Sequence, residues 1–93
     1  MTLSEIDGVV LVGAGKMGLA LARGWLHAGL QPEALTLVDP APQPATLEFA
    51  ETEGVTCVDA PPSAHSRVVV LAVKPQIMAS VLPTLSSLIG PHT

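Results

Sequence analysis

Short runs made mainly of aliphatic residues alternate along the chain with longer segments of mixed polarity. Each run is four to six residues long and is bounded by turn-forming or charged residues, which is the pattern of a buried strand. These runs predict strands at Gly8–Val12, Ala34–Val38, Val55–Val58 and Val68–Val73. The fourth gives the strongest strand signal, because it is aliphatic throughout.

The segments after the first and fourth runs predict helices. Lys16–Ala28 is rich in leucine and alanine and lacks proline, and Gly29 follows it in the position where glycine commonly ends a helix. Pro75 is suited to the first position of a later helix. Pro83 is expected to break that helix near Leu82, because proline cannot continue the hydrogen-bond ladder.

A further helix is predicted over Pro44–Glu53. Proline favours the first position of a helix, and Gly54 is expected to stop it. We expect Leu47, Ala50 and Phe49 to face the sheet.

Strands that alternate with helices favour parallel pairing and right-handed crossovers. We therefore predict one α/β domain over residues 1–93, with strand order 3-2-1-4 and flanking helices. This is a partial, doubly wound Rossmann-like sheet. The core must be aliphatic, because Trp25 and Phe49 are the only aromatic residues.

A glycine-rich turn, Gly13–Gly18, joins the first strand to the first helix and has the pattern G-x-G-x-x-G. In this context Gly13 permits the tight turn, Gly15 lets a diphosphate approach the backbone, and Gly18 lets helix and strand pack closely. The free N–H groups of a helix N-terminus then attract an anion. The alternative is a turn with a purely structural role.

Within the turn, Lys16 is a cation in the first turn of a helix, where the helix dipole disfavours positive charge. A bound phosphate would reverse that effect, whereas the alternative is a solvated lysine. Ala14 and Met17 are the other turn residues assigned to the predicted cofactor site, and Met17 is expected to pack under the loop.

Asp39 lies 21 residues after Gly18, at the end of the second strand. An acid about 20 residues beyond the glycine motif typically binds the ribose hydroxyls of the adenosine. The alternative is a turn-forming Asp before Pro40. Because the next basic residue is Arg67, no Arg or Lys follows Asp39 closely to hold a 2′-phosphate, which favours NAD over NADP.

A second motif, Ala72–Gln76, closes the fourth strand and begins a helix. Strand ends beside the point where strand order reverses line the ligand crevice of such folds. Ala72, Val73, Lys74 and Pro75 are therefore predicted to line the cofactor site. The alternative for Lys74 is a surface lysine in a loop.

Val12–Gly18 together with Ala72–Gln76 resembles the pyrroline-5-carboxylate reductase family. Leu37–Pro40, Gly54-Val55 and Val81–Pro83 add to the resemblance, which covers nearly the whole chain. It implies reduction of 1-pyrroline-5-carboxylate to L-proline with NADP or NAD, in the biosynthesis of proline. It also implies that a helical C-terminal domain for catalysis and dimerisation is absent from this chain. These residues alone should therefore be inactive. The parent protein is expected to be a homo-oligomer.

Two alternatives stay open. The glycine turn alone also fits 3-hydroxyisobutyrate and 6-phosphogluconate dehydrogenases, which act on hydroxyacids. The second alternative is that the chain is a stand-alone, non-catalytic dinucleotide-binding module. No catalytic residue is assigned, because neither a Ser-His-Asp constellation nor a carboxylate pair is recognisable in the sequence.

Charge and hydropathy exclude several classes of partner. The net charge is −4, with four basic residues, so a nucleic-acid surface is not expected. No apolar run approaches the ~20 residues of a membrane span. Cys57 is the single cysteine, and His27, His65 and His92 lack metal-ligand spacing, so no metal site is predicted. A cytoplasmic protein is expected.

Overall fold

The computed structural model describes residues 5–62, 66–73, 75–91 and 93, which form one α/β unit. Helices and strands follow each other as the sequence predicts. The strands are β1 (Val9–Val12), β2 (Leu35–Val38), β3 (Thr56–Val58) and β4 (Val68–Leu71). The helices are α1 (Lys16–His27), α2 (Pro44–Glu53) and α3 (Pro75–Val81), with 3-10 segments at Pro32–Ala34 and Leu82–Leu88.

All strand pairs are parallel, and the strand order is β3-β2-β1-β4. Val9 of β1 pairs with Leu35 on one side and with Val68 on the other, so β1 lies in the interior of the sheet. The predicted fold class and strand order are confirmed. The order reverses between β1 and β4, which places the crevice of a doubly wound fold at the carboxyl end of β1.

The strands are shorter than predicted, because hydrophobic character extends past the ladder. Ala34 belongs to the 3-10 turn that Pro32 begins. Ala72 still donates its N–H to the Val12 carbonyl across 2.8 Å, although β4 ends at Leu71. Aliphatic residues in these positions are buried or half-buried around the sheet without belonging to a strand. Their composition alone does not distinguish a residue within a strand from one just beyond its end.

Helices cover both faces of the sheet, and each face has its own aliphatic core. The first core lies under α1 and α2 and is centred on Leu11, Leu35 and Leu37, each fully buried. Burying one such leucine contributes about 1.5–3 kcal/mol to stability. The second core includes Val10 of β1 and Leu85 of the last 3-10 segment. This two-sided packing accounts for the apolar runs in β1 and β2.

The orientation of α2 differs from the prediction. Phe49 and Ala50 face the first core as expected, but Leu47 is half exposed. The third inward position belongs to Thr46, which is 1% exposed. The prediction for Leu47 is wrong because a polar residue with a buried hydrogen-bond partner occupies the position that hydrophobicity alone assigns to leucine.

The predicted helix ends are close to those of the structure. Gly54 follows α2 with φ 73°, a left-handed conformation that glycine adopts without strain. The helix after β4 changes to a 3-10 segment at Leu82, one residue before Pro83, which confirms the predicted break. Pro75 is the first residue of α3, as predicted.

Candidate functional site

The glycine turn leaves the carboxyl end of β1 and leads directly into α1. Gly15 is the N-cap residue, no side chain caps the helix there, and its first turn contains no acidic residue. The first N–H groups of an α-helix have no acceptor within the helix. These amides and the positive end of the helix dipole are therefore suited to an anionic ligand.

Two glycines of the turn are required by the fold itself. Gly13 has φ 92°, and a Cβ added to it would lie 2.7 Å from the carbonyl oxygen of Ala72. A Cβ on Gly18 would collide with the carbonyl oxygen of Gly13. Packing between β1, α1 and the end of β4 thus explains both residues.

Gly15 differs from its two neighbours in the motif. Its φ of −79° is accessible to every residue type, and a Cβ built on it meets nothing within 4 Å. The protein itself therefore gives no reason to exclude a side chain here. The open space beside Gly15, at the N-terminus of α1, fits a ligand that lies directly against the backbone, as the diphosphate of a dinucleotide does.

Side chains from two other elements hold the residue before Gly15. The N–H of Ala14 donates to Oδ2 of Asp39 at 3.3 Å, and the Thr46 hydroxyl donates to the Ala14 carbonyl at 2.7 Å. Both polar groups of Ala14 are thus engaged. Ala14 itself is 1% exposed, so the turn is fixed from its buried side.

Asp39 makes the hydrogen bond expected of a turn-forming Asp, and it also accepts a hydrogen bond from the glycine turn. Its Oδ1 accepts from the N–H of Ala41 at 3.0 Å, which is the geometry of an Asx turn. Its own N–H donates to the Val58 carbonyl at 2.9 Å, so the residue lies between β2 and β3. A carboxylate has about four acceptor positions, and these contacts leave acceptor capacity for ribose hydroxyls.

A cavity of about 400 Å³ lies beside the turn and brings both sequence motifs together. Residues of the glycine turn form one wall, and the end of β4 forms the other. The turn contributes Gly15, Lys16, Met17 and Gly18, and the β4 side contributes Leu71, Ala72 and Val73. Lys74, which is also predicted on this wall, lies outside the described residues.

Met17 does not pack under the loop. Its side chain is 71% exposed and lines the cavity. Lys16 is exposed at the start of α1, in agreement with a solvated lysine and equally with one that is available to a phosphate.

A second cavity, of about 280 Å³, lies at the carboxyl ends of β1, β2 and β3. Val12, Pro40, Pro61 and Thr84 are among the residues that line it. Sequence reasoning did not assign these residues to the site, although Pro40 directly follows Asp39. Only the topology places the residues after β3 beside those after β2.

Cys57 lies on β3 and is half-buried. Burial raises the pKa of its thiol, and the negative charge of Asp39 raises that pKa further. A raised pKa reduces the thiolate fraction at neutral pH, so this cysteine lacks the activation of a nucleophile. His27 is exposed on α1, whereas His65 and His92 lie outside the described residues.

In the described part of the chain, no group of three or more His, Cys, Asp or Glu residues is arranged to hold a metal ion. Among the helices in the same residues, none combines the length and apolar character needed to cross a membrane.

Comparison with protein families gives a match to the model described as NADP oxidoreductase coenzyme F420-dependent, over residues 8–91. The match includes the glycine turn, Asp39 and the end of β4. No curated protein sequence matches the chain.

Proposed function

The chain belongs to the family described as NADP oxidoreductase coenzyme F420-dependent, and from this premise we propose that its parent protein reduces 1-pyrroline-5-carboxylate to L-proline. Residues 8–91 form an NAD(P)-binding oxidoreductase domain of Rossmann-like fold. The substrate part of the proposal is supported by the likeness of Val12–Gly18 and Ala72–Gln76 to pyrroline-5-carboxylate reductases. We place the substrate-binding and dimer-forming residues in a helical domain outside this sequence.

The open space beside Gly15 is the observation that carries the dinucleotide part of the proposal. Gly13 and Gly18 satisfy packing requirements, whereas Gly15 leaves bare backbone at an uncapped helix N-terminus. In the proposed complex, this backbone contacts the diphosphate and the neighbouring N–H groups donate to its oxygens. Lys16 adds a positive charge beside the same oxygens.

The remaining predicted site residues orient the two ends of the cofactor. Asp39 accepts hydrogen bonds from the ribose hydroxyls of the adenosine. Ala72 and Val73 form the wall of the cavity opposite the glycine turn. On the sequence motif alone, we also assign Lys74 and Pro75 to the cofactor site. The chemistry that a bound reduced nicotinamide would supply is a hydride for the carbon of the substrate's C=N bond, and the imine nitrogen would take up a proton.

We propose a preference for NAD over NADP, although the description of the family names NADP. The carboxylate of Asp39 would repel a 2′-phosphate at the adenosine ribose. No Arg or Lys lies between Asp39 and Arg67 to neutralise it. Arg23 lies over the ring of Phe49, with 5.4 Å from the guanidinium carbon to the ring centroid, between α1 and α2.

The test is a redox assay on the protein translated from the complete reading frame. NADH and NADPH are offered with 1-pyrroline-5-carboxylate, and NAD+ and NADP+ are offered with L-proline, 3-hydroxyisobutyrate and 6-phosphogluconate. We expect turnover with the imine and with proline. Oxidation of a hydroxyacid alone would assign the parent to the other dehydrogenases, and dinucleotide binding without turnover would favour a non-catalytic module.

A further inference from the structure

Thr46 lies on the inward face of α2, where the other buried residues are apolar. It is 1% exposed, and its hydroxyl donates to the Ala14 carbonyl at 2.7 Å, which is a short and buried bond between two elements. Its side-chain neighbours along the inward face of α2 are Phe49 and Ala50. A polar residue in such a row is retained only where its hydrogen bond is satisfied, because burial of an unpaired hydroxyl is costly.

The carbonyl of Ala14 belongs to the same peptide unit as the N–H of Gly15. A trans peptide is planar, and its C=O and N–H point in opposite directions. The described residues contain no cis peptide bond. Fixing the Ala14 oxygen toward α2 therefore fixes the Gly15 N–H away from α2.

This peptide unit is the one in the turn that most needs fixing. Gly15 is exposed and has no side chain, so rotation about its backbone meets little steric resistance. The peptide unit before it, between Gly13 and Ala14, is held separately by the bond from Ala14 to Asp39. Thr46 supplies the corresponding restraint for the peptide that faces the ligand.

We propose that Thr46 is a positioning residue for the dinucleotide, acting through the Ala14–Gly15 peptide without touching the ligand. The proposal rests on the dinucleotide site described under the proposed function. It extends that site to α2, an element that carries none of the motif residues. With Thr46 in place, the Gly15 N–H is oriented toward the diphosphate before the ligand arrives, so binding does not have to supply that ordering.

The variant Thr46→Val tests this directly, because it removes the hydroxyl and nearly preserves the shape. We expect the Kd for NADH to rise about five- to tenfold, as the loss of one hydrogen bond predicts. Thr46→Ser keeps the hydroxyl and should restore most of the affinity. In the complete enzyme, the KM for the dinucleotide should rise while kcat at saturating dinucleotide stays near the wild-type value.

Two control variants separate positioning from general loss of stability. Val55→Ala removes buried side-chain volume from the first core, away from the turn, and should lower stability without changing the Kd. Thr52→Val makes the same chemical change at an exposed site on α2 and should change neither. A Kd for Thr46→Val equal to that of the wild type, or matched by Val55→Ala, would overturn the proposal.

A second measurement does not depend on any ligand. In 15N relaxation-dispersion spectra, the Gly15 amide of Thr46→Val should show microsecond-to-millisecond exchange that the wild type and Thr46→Ser lack. A Gly15 amide without exchange in Thr46→Val would refute the positioning role even if NADH binds the wild type. Failure of the wild type to bind NADH or NADPH, with exchange appearing as expected, would instead refute the proposed function.

Discussion

The N–H of Ala14 in the glycine turn donates to the carboxylate of Asp39 at 3.3 Å. This bond joins the end of β2 to the start of α1 across 25 positions of sequence. The acid that the motif spacing assigns to the ribose therefore also stabilises the loop assigned to the diphosphate. Substitution of Asp39 should consequently affect both halves of the dinucleotide site.

Asp39→Ala should weaken NADH binding about tenfold or more, because a charged hydrogen-bond acceptor is lost. NADPH binding should weaken less, since removal of the carboxylate also removes repulsion of the 2′-phosphate. Isothermal titration with both dinucleotides measures the ratio. Asp7→Asn, an exposed acid before the amino end of β1, is the charge control. An unchanged ratio of the two affinities would contradict the role assigned to Asp39.

Gly15→Val should abolish measurable dinucleotide binding, with a loss of at least about tenfold, or 1.4 kcal/mol. The fold should survive, because a Cβ at this position meets nothing within 4 Å. Circular dichroism and titration with NADH check the two halves of this prediction.

Two other glycines serve as controls for that experiment. Gly24→Ala, in α1 and equally open around its Cβ, should raise stability by about 0.5–1 kcal/mol and leave binding intact. Gly18→Ala should instead destabilise the protein by about 1–3 kcal/mol, because its Cβ meets the Gly13 carbonyl. Normal NADH affinity in Gly15→Val would show that the diphosphate does not lie there.

Cys57 predicts a specific dependence of stability on pH. Its pKa in the folded protein is raised by burial and then by Asp39, so folding favours the protonated thiol. The contribution is complete below the ordinary thiol pKa of about 8.5 and is lost as pH rises through the higher folded value. Urea unfolding between pH 7 and 10 should therefore show a steeper decline for the wild type than for Cys57→Ser.

The same interaction is testable through thiol chemistry. Asp39→Asn removes the second cause of the raised pKa, so Cys57 should react faster with iodoacetamide at pH 8. Glu53→Gln, an exposed acid at the end of α2, provides the comparison. Equal rates in the wild type and Asp39→Asn would mean that the carboxylate does not influence the thiol.

The β4 edge leads us to expect self-association of this chain. β4 ends the strand order, and its aliphatic residues are half-buried. Val68 and Ala72 donate their N–H groups toward β1, so by strand alternation the N–H of Val69 faces the free edge. Val69→Pro removes that donor and should weaken association in sedimentation velocity experiments. A wild type that stays monomeric at high concentration would refute this expectation.

The order and type of the elements are predictable from sequence because apolar runs and turn residues act locally. Proline at 44 and 75 and glycine at 54 mark helix ends by their own backbone geometry. The strand order follows from the doubly wound topology, of which 3-2-1-4 is the first part. These features need no knowledge of which side chains meet.

The errors arise where distant residues meet. Leu47 is more apolar than Thr46, yet the Ala14 carbonyl on another element makes Thr46 the buried residue. Met17 is a large apolar residue, yet its side chain is 71% exposed and lines the cavity beside the turn. Similarly, the position of Asp39 is predictable from spacing, but its bond to Ala14 is not.

The contact between Gly13 and Ala72 bears on how this protein can be recombined with others. The two signature segments lie 59 positions apart, yet the Cβ position of one nearly touches the main chain of the other. A chimera that imports a foreign nucleotide loop must therefore import the matching β4 terminus. Crossover points placed between β2 and β3 would separate that pair, whereas exchange of the α2–β3 region alone would keep it intact.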